Sequence, residues 1–278
     1  MPSSRPLTGF ACGEVRGGNR EIYEPVALPG LQGVLYSRPC SGESGGDIHY
    51  LSVCGSGLLS RVCLADVAGH GGEVSAVGQE MHAHLLRSVD VIDERRVLEK
   101  LDARLDARGL HAMTTAVLAT YYPPSRRLTV CYAGHPTGWL YRRRERRWQP
   151  LRHPLPPPPR PSFVDLPLGT RFRPAFNRHR FRVVPGDRLV LVTDGVVEVT
   201  ALDGSFFDDQ RILAALEDVS GTPGDQASRL LTALRTHAAD GALDHDDVTF
   251  FVADVVEGAP GPALWHVIKN RLFGGSPH

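Results

Sequence analysis

Short apolar runs recur along this chain in an order that leaves few folds open. Val34-Leu35-Tyr36, Val62-Cys63-Leu64, Ala116-Val117-Leu118, Leu128 to Tyr132, Phe181-Arg182-Val183, Leu189 to Val192 and Val248 to Val252 carry strand signals. Several are apolar throughout, as expected of strands covered on both faces. Between the second and third runs, Val74, Val77, Met81 and Leu85 repeat at helical spacing, and Val97, Leu98, Leu101 and Leu105 do so again after a candidate cap at Asp93. Further helices are predicted around Ile212 to Glu217 and Ala227 to His237, where Leu230, Leu231 and Leu234 form a stripe. Strands, a helix pair, more strands, a second helix pair and a final strand predict an α+β chain of stacked sheets with helices outside. The regular βαβ alternation of a doubly wound fold is absent.

At the edges of these runs stand aspartates in distinctive settings: Gly45-Gly46-Asp47, Asp66-Val67-Ala68-Gly69-His70-Gly71, Thr193-Asp194-Gly195 and His245-Asp246-Asp247-Val248-Thr249. One such aspartate is weak evidence, because Asp-Gly commonly marks a turn. Together they supply carboxylates that a folded sheet can gather from distant segments. Oxygen-only donors suit hard divalent cations, Mg²⁺ or Mn²⁺, better than zinc. Two such ions activate a shared water and clamp the oxygens of a phosphoryl transfer.

The rest of the composition excludes more than it suggests. Lys plus Arg and Asp plus Glu are equal at 31 each, so no global field draws the chain to nucleic acid or an anionic membrane. The five cysteines, unevenly spaced and without a CxxC pair, read as reduced core residues. No apolar stretch approaches the roughly 20 residues of a membrane helix, and the first thirty residues lack a signal-peptide core, so the expected compartment is the cytoplasm. No P-loop or dinucleotide fingerprint occurs.

At these residues the chain resembles the metal-dependent PPM-type serine/threonine protein phosphatases, most closely their bacterial SpoIIE-like branch, which dephosphorylates regulators of sigma factors. The aspartate motifs carry the resemblance together with Tyr132-Ala133-Gly134-His135-Pro136, Leu166-Pro167-Leu168-Gly169 and Pro185-Gly186-Asp187, in order from about Leu31 to Val255. It implies a four-layer αββα sandwich with a dinuclear metal site at the edge of two central sheets. By the same resemblance Asp66 bridges two Mn²⁺ or Mg²⁺ ions, Asp47 and the backbone carbonyl of Val67 complete one site, and Asp194 with Asp246 completes the other. Asp247 is interchangeable with Asp246 at this level. A metal-bridged hydroxide would then attack phosphorus in line, with His70 contacting phosphate or protonating the leaving oxygen, while the Ala133-Gly134-His135-Pro136 motif chiefly sets a turn.

The implied substrate is a phosphorylated bacterial regulatory protein such as an anti-sigma antagonist. The alternatives are a catalytically weak phosphoprotein-binding module on the same fold, or a two-metal small-phosphate hydrolase. The organisation expected is an N-terminal extension over 1–30, a phosphatase domain over 31–256 and a tail over 257–278. In that tail Leu264, Trp265, Ile268 and Leu272 mark an amphipathic helix that docks on its own domain or takes a regulator. With no sensor domain expected ahead of the phosphatase region, regulation is expected from a separate protein, from genomic neighbours or from the tail. Arg142 to Arg147 read as a solvated hairpin tip, or as a landing strip for an acidic or phosphorylated partner flanking the metal edge, and Pro154 to Pro161 as an extended flap.

Overall fold

The computed structural model describes residues 7–40, 42, 44–69, 72–154 and 163–257. The strands are β1 (Val15–Gly18), β2 (Ile22–Leu28), β3 (Leu31–Arg38), β4 (Asp47–Val53), β5 (Ser60–Val67), β6 (Thr114–Tyr122), β7 (Arg127–Ala133), β8 (Trp139–Arg142), β9 (Arg147–Pro150), β10 (Arg178–Arg182), β11 (Arg188–Val192) and β12 (Val248–Val255). The helices are α1 (Gly72–Arg87), α2 (Glu94–Asp106), α3 (Asp194–Val197), α4 (Asp209–Leu216) and α5 (Pro223–His237). One sheet runs β1-β4-β5-β6-β7-β10 and the other β2-β3-β12-β11-β8-β9. The strand pairings within both sheets are antiparallel.

Side-chain parity divides the apolar residues among three layers of core. Val62 and Leu64 of β5, Leu51 of β4, Leu189 and Leu191 of β11 and Phe251 of β12 share the cluster between the sheets. Their neighbours in sequence point the other way: Cys63, Ala65 and Ile48 meet Val77, Met81, Leu98 and Leu101 of α1 and α2. On the far side Val190, Val192, Phe250 and Val252 meet Ile212, Leu216, Leu230 and Leu234 of α4 and α5. Alternation with period two thus produces the four-layer αββα sandwich. It also explains the continuous apolar runs, since both faces of each central strand are covered.

The helices start where the sequence signals them. Asp93 caps α2 by accepting from the Arg95 backbone N–H at 3.2 Å. Thr222 and Asp225 form a reciprocal capping box with Pro223 in the first turn of α5. Each strand and helix predicted within the described residues is present, and the structure adds β1, β2, β4, the short α3 and the strands β8 and β9 that flank the expected hairpin tip. The strands Val15–Gly18 and Ile22–Leu28 lie within residues 1–30, and they pair with β4 and β3 respectively. Among the described residues no helix is long and apolar enough to cross a membrane.

One expectation is corrected. Trp139 pairs with Val190 and Tyr141 with Arg188, so β8 runs away from the Asp194 end of β11. The arginine-rich turn that follows therefore lies at the opposite end of the sandwich from Asp194, separated by roughly 20 Å of extended backbone. It does not flank the carboxylates. The amphipathic tail and most of the proline-rich flap lie outside the described residues.

Candidate metal centre

Antiparallel register sets Asp47 of β4 directly opposite Asp66 of β5. By parity both share the face that carries Leu51 and Leu64, so the pair looks into the gap between the sheets at its open end. Across the gap, β11 ends and α3 begins at Asp194. Carboxylate oxygens of Asp47, Asp66 and Asp194 all lie within 4.8 Å of one another. Residues separated by well over a hundred positions are thus gathered from both sheets.

Neighbouring groups hold these carboxylates in place. Asp47 is 3% exposed and accepts a 2.7 Å hydrogen bond from the Thr193 hydroxyl. Thr193 in turn receives the Thr249 backbone N–H at 3.1 Å, and Thr249 shares a 2.8 Å hydroxyl contact with Ser37. A chain of hydroxyls therefore links β11, β12 and β3 to the carboxylate of β4.

The adjacent aspartates differ in what occupies them. Asp247 accepts from the backbone N–H groups of Cys40 at 2.7 Å, Gly46, and Asp47 at 3.1 Å. Its carboxylate is spent on pinning the Gly45-Gly46-Asp47 loop. A Cβ on Gly45 would overlap that carboxylate, and one on Gly46 would sit 3.0 Å from the Val67 carbonyl and 3.1 Å from Asp66 Oδ1. Glycine is needed there for close approach rather than for a turn. Asn19, in the segment between β1 and β2, braces the same loop: its side chain donates to the Gly45 carbonyl at 3.0 Å and its own carbonyl accepts the Gly45 N–H.

The electrostatics call for a cation. Burial and then its carboxylate neighbours Asp194, Asp246, Asp247 and Glu198 push the Asp66 carboxyl up to about 7. Burial raises Asp47 well above the usual range, with Asp66 and Asp247 adding to the effect against the Thr193 and Thr249 hydrogen bonds. Asp194 is raised by burial and by Asp246 and Glu198. Among the described residues no basic group is a main influence on these three carboxyls, so the dominant effects are burial and like charge. An all-oxygen donor set of this kind fits hard divalent ions.

Beside Asp194 opens a cleft of about 740 Å³ lined by His135, Pro136, Glu198, Phe206, Asp208 and Gln210. His135 is 4% exposed and its Nδ1 lies 2.8 Å from the hydroxyl of Thr115, the residue opposite Asp66. Burial takes its pKa down to about 3, which keeps the ring neutral. Gly134 before it has φ +66 and packs against Pro167, the tight turn expected of this motif. Of the residues singled out in the sequence, Asp47, Asp66 and Asp194 cluster. Asp246 acts on two of them electrostatically, Val67 lies alongside, and Asp247 is drawn off by backbone donors. His70 lies outside the described residues. Asn19 and Glu198 were not anticipated: Asn19 carries no local signal, whereas Glu198 follows Asp194 by four residues, about one helical turn.

Two antiparallel sheets between helix pairs, with this carboxylate group at their edge, define the PP2C-type phosphatase fold. Residues 59–256 match the family model for Stage II sporulation protein E (SpoIIE), and the chain belongs to that family. It is similar to the RsbU and RsbW domains of Rv1364c from Mycobacterium tuberculosis, with a TM-score of 0.66 and 21% identity over 87% of this chain and 64% of that one. It is also similar to the PP2C phosphatase domain and regulatory fragment of SpoIIE from Bacillus subtilis, with a TM-score of 0.61 and 16% identity over 87% of this chain and 63% of that one. RsbX in complex with magnesium gives a TM-score of 0.59 and 15% identity, with 84% of this chain and 100% of that chain covered. At these identities the likeness is one of fold, and this chain spans less than two thirds of the first two. No curated protein matches the sequence.

Proposed function

We propose that this chain is a metal-dependent protein phosphatase that hydrolyses phosphoserine or phosphothreonine on a bacterial regulatory protein. The observation that carries the reading is the convergence of Asp47, Asp66 and Asp194 within 4.8 Å at the open end of the two sheets. In this reading Asp47, Asp66, the Val67 carbonyl, Asp194 and Asp246 would together hold two divalent ions. When bound, Mn²⁺ or Mg²⁺ would supply the Lewis acidity that activates water and neutralises charge on the phosphoryl group.

The protein's own contribution is placement. Thr193 orients one oxygen of Asp47. Asp247 is assigned a positioning role, because its oxygens already hold the loop that presents Asp47. The cleft beside Asp194 is open and polar at its rim, suited to a phosphorylated segment of a protein rather than to an enclosed nucleobase. His70 is retained as a candidate for contact with phosphate. The catalytic unit proposed spans residues 31–256 with β1 and β2 attached. The likeness to the cell fate determinant SpoIIE supports a signalling substrate, such as an anti-sigma antagonist.

The test is hydrolysis of a phosphoserine protein, an aryl phosphate and ATP, each with Mn²⁺, Mg²⁺ or chelator. Turnover of the first two that requires metal, with the phosphoprotein favoured over ATP by at least tenfold in kcat/KM, is the expected result. Equal efficiency on ATP would move the assignment to a small-phosphate hydrolase, and absence of turnover with retained phosphoprotein binding would move it to a binding module.

A further inference from the structure

The β8–β9 hairpin is built as a rigid, positively charged projection remote from the carboxylates. Its turn is closed by the Arg146 N–H on the Arg142 carbonyl at 2.7 Å, with Arg146 at φ +51. Asp187, 1% exposed, anchors it by accepting the Arg143 backbone N–H at 2.9 Å and pairing with Arg142 at 3.1 Å. Glu145 is taken by Arg147 at 2.7 Å. Arg143, Arg144 and Arg146 are exposed, and among the described residues none of them has a carboxylate within ion-pair distance. Arg127 and Arg182, paired across β7 and β10, extend the basic surface, and Arg142 reaches the Arg182 carbonyl at 2.7 Å.

Beneath the turn is a cleft of about 460 Å³ between the hairpin and the end of α4. Tyr141 and Trp148 form one wall, with ring centroids 5.4 Å apart, and Leu213, Glu217 and Val219 line the other. Trp148 is fixed by its indole N–H on the Leu216 carbonyl at 2.9 Å. Arg146 also lines the cleft. A slot walled by Tyr141, Trp148 and Leu213, with Arg146 at its edge and Arg143 and Arg144 exposed on the same turn, combines two kinds of recognition: an anchor pocket and planar forks matched to carboxylates.

We propose that the hairpin and this cleft dock an acidic segment of a partner protein, seating one apolar side chain between Tyr141, Trp148 and Leu213 and carboxylates on Arg143, Arg144 and Arg146. Charge complementarity selects an acidic partner. A peptide is favoured over a nucleic acid because Tyr141 and Trp148 are half-buried walls of a cleft, tilted 51° to each other, rather than an open face on which bases stack. A membrane is disfavoured because none of the exposed large apolar side chains lies on the hairpin to insert. Glu217 on the far wall confines the partner's acidic groups to the arginine side. The separation from Asp194 lets such a partner stay bound while the carboxylate cleft remains accessible.

The probe is a fluorescein-labelled peptide, Glu-Glu-Leu-Trp-Glu-Glu, titrated with the full chain by fluorescence anisotropy beside hexaglutamate and a hexathymidylate. The readout needs no catalysis, so it is independent of the proposed activity. The R143E/R144E/R146E protein, with R144Q/R146Q as the milder variant should it fail to fold, is expected to weaken peptide binding at least tenfold. Hexaglutamate is expected to bind wild type at least fivefold more weakly than the peptide. Unchanged peptide affinity in the arginine variants, or hexaglutamate or hexathymidylate binding as tightly as the peptide, overturns the proposal.

Discussion

Asp246 and Asp247 are neighbours in sequence with different work to do, and the difference is testable. Asp247→Ala removes the acceptor of three backbone N–H groups around the Gly45 loop. Leaving buried donors unpaired is expected to cost roughly 2–4 kcal/mol, read as a lower melting temperature even in chelator. Asp246→Ala is expected to leave chelator stability nearly unchanged and to abolish the metal-dependent activity. The reverse pattern would exchange their roles. Sequence alone leaves the pair tied, because which of two adjacent residues faces the gap follows from the register of β12, a property of its partners. A second signature comes from Asp66. Its folded pKa, raised to about 7, exceeds the ordinary value of 3.8. Between those values the folded protein holds a proton that the unfolded chain has released, so this group's stability contribution, full below about pH 4, is lost as pH rises through about 7. Buried His49, His84, His135 and His179 have lowered pKa values and act oppositely over part of this window. The comparison is therefore Asp66→Asn against wild type, both in chelator. The variant is expected to be more stable by roughly 2–4 kcal/mol near pH 7.5, with the gap closing toward pH 4. A gap that does not vary with pH would contradict the electrostatic account of the site.

At the scale of elements, β5 serves both ends of the molecule. Asp66 stands near one end, and near the other Arg61, 1% exposed, donates to the carbonyls of Ser88 at 2.9 Å and Val91, and to the Thr120 hydroxyl at 3.2 Å. It thereby ties the connection between α1 and α2 to the sheet. Glu94, fully buried at the start of α2, pairs with Arg178 of β10 at 2.8 Å and adds its charge to Arg61's surroundings. Arg61→Met is expected to lower stability by about 3–5 kcal/mol in thermal unfolding, since it strands buried acceptors and removes a charge that Glu94 faces. A loss under 1 kcal/mol would show that the network is dispensable. The elements legible in the sequence were those whose side chains obey one rule along their length. The missed strand β4 breaks that rule: it is buried on both faces yet carries Asp47, His49 and Ser52. Burying His49 pushes its pKa down to about 4, so a residue that reads as polar is held neutral in the core. Edge strands β1 and β2 contain Gly, Arg and Glu, and α3 is only four residues long, too short for any period to show.

At the scale of the whole molecule, net neutrality conceals two like-charge clusters at opposite ends of the sandwich: the Asp47, Asp66 and Asp194 carboxylates at one and the exposed arginines of the β8–β9 turn at the other. The sequence shows the arginine run soon after the His135 turn, and only the antiparallel pairing of β8 with β11 carries it away from Asp194. The proposed ions have a mechanical consequence that follows from where their ligands originate. Asp47 and Asp66 belong to one sheet, and Asp194 and Asp246 follow or precede strands of the other. An ion held by both sets adds a further link between two layers already joined at that end by side-chain packing, the Thr193 contact with Asp47 and the hydrogen bonds that Asp247 accepts from Gly46 and Asp47. Binding to the folded state alone at about a hundredfold excess over Kd stabilises by about 2.7 kcal/mol. For a chain of this size that corresponds to a rise of roughly 5–10 °C in melting temperature. Mn²⁺ is therefore expected to raise the melting temperature of wild type by that order and to leave Asp66→Asn nearly unmoved. Hydrogen exchange should slow together at the ends of β4 and β5 and at the ends of β11 and β12. Protection confined to one sheet would mean that the ion does not bridge the layers, and the assignment of Asp194 and Asp246 as ligands would have to be given up.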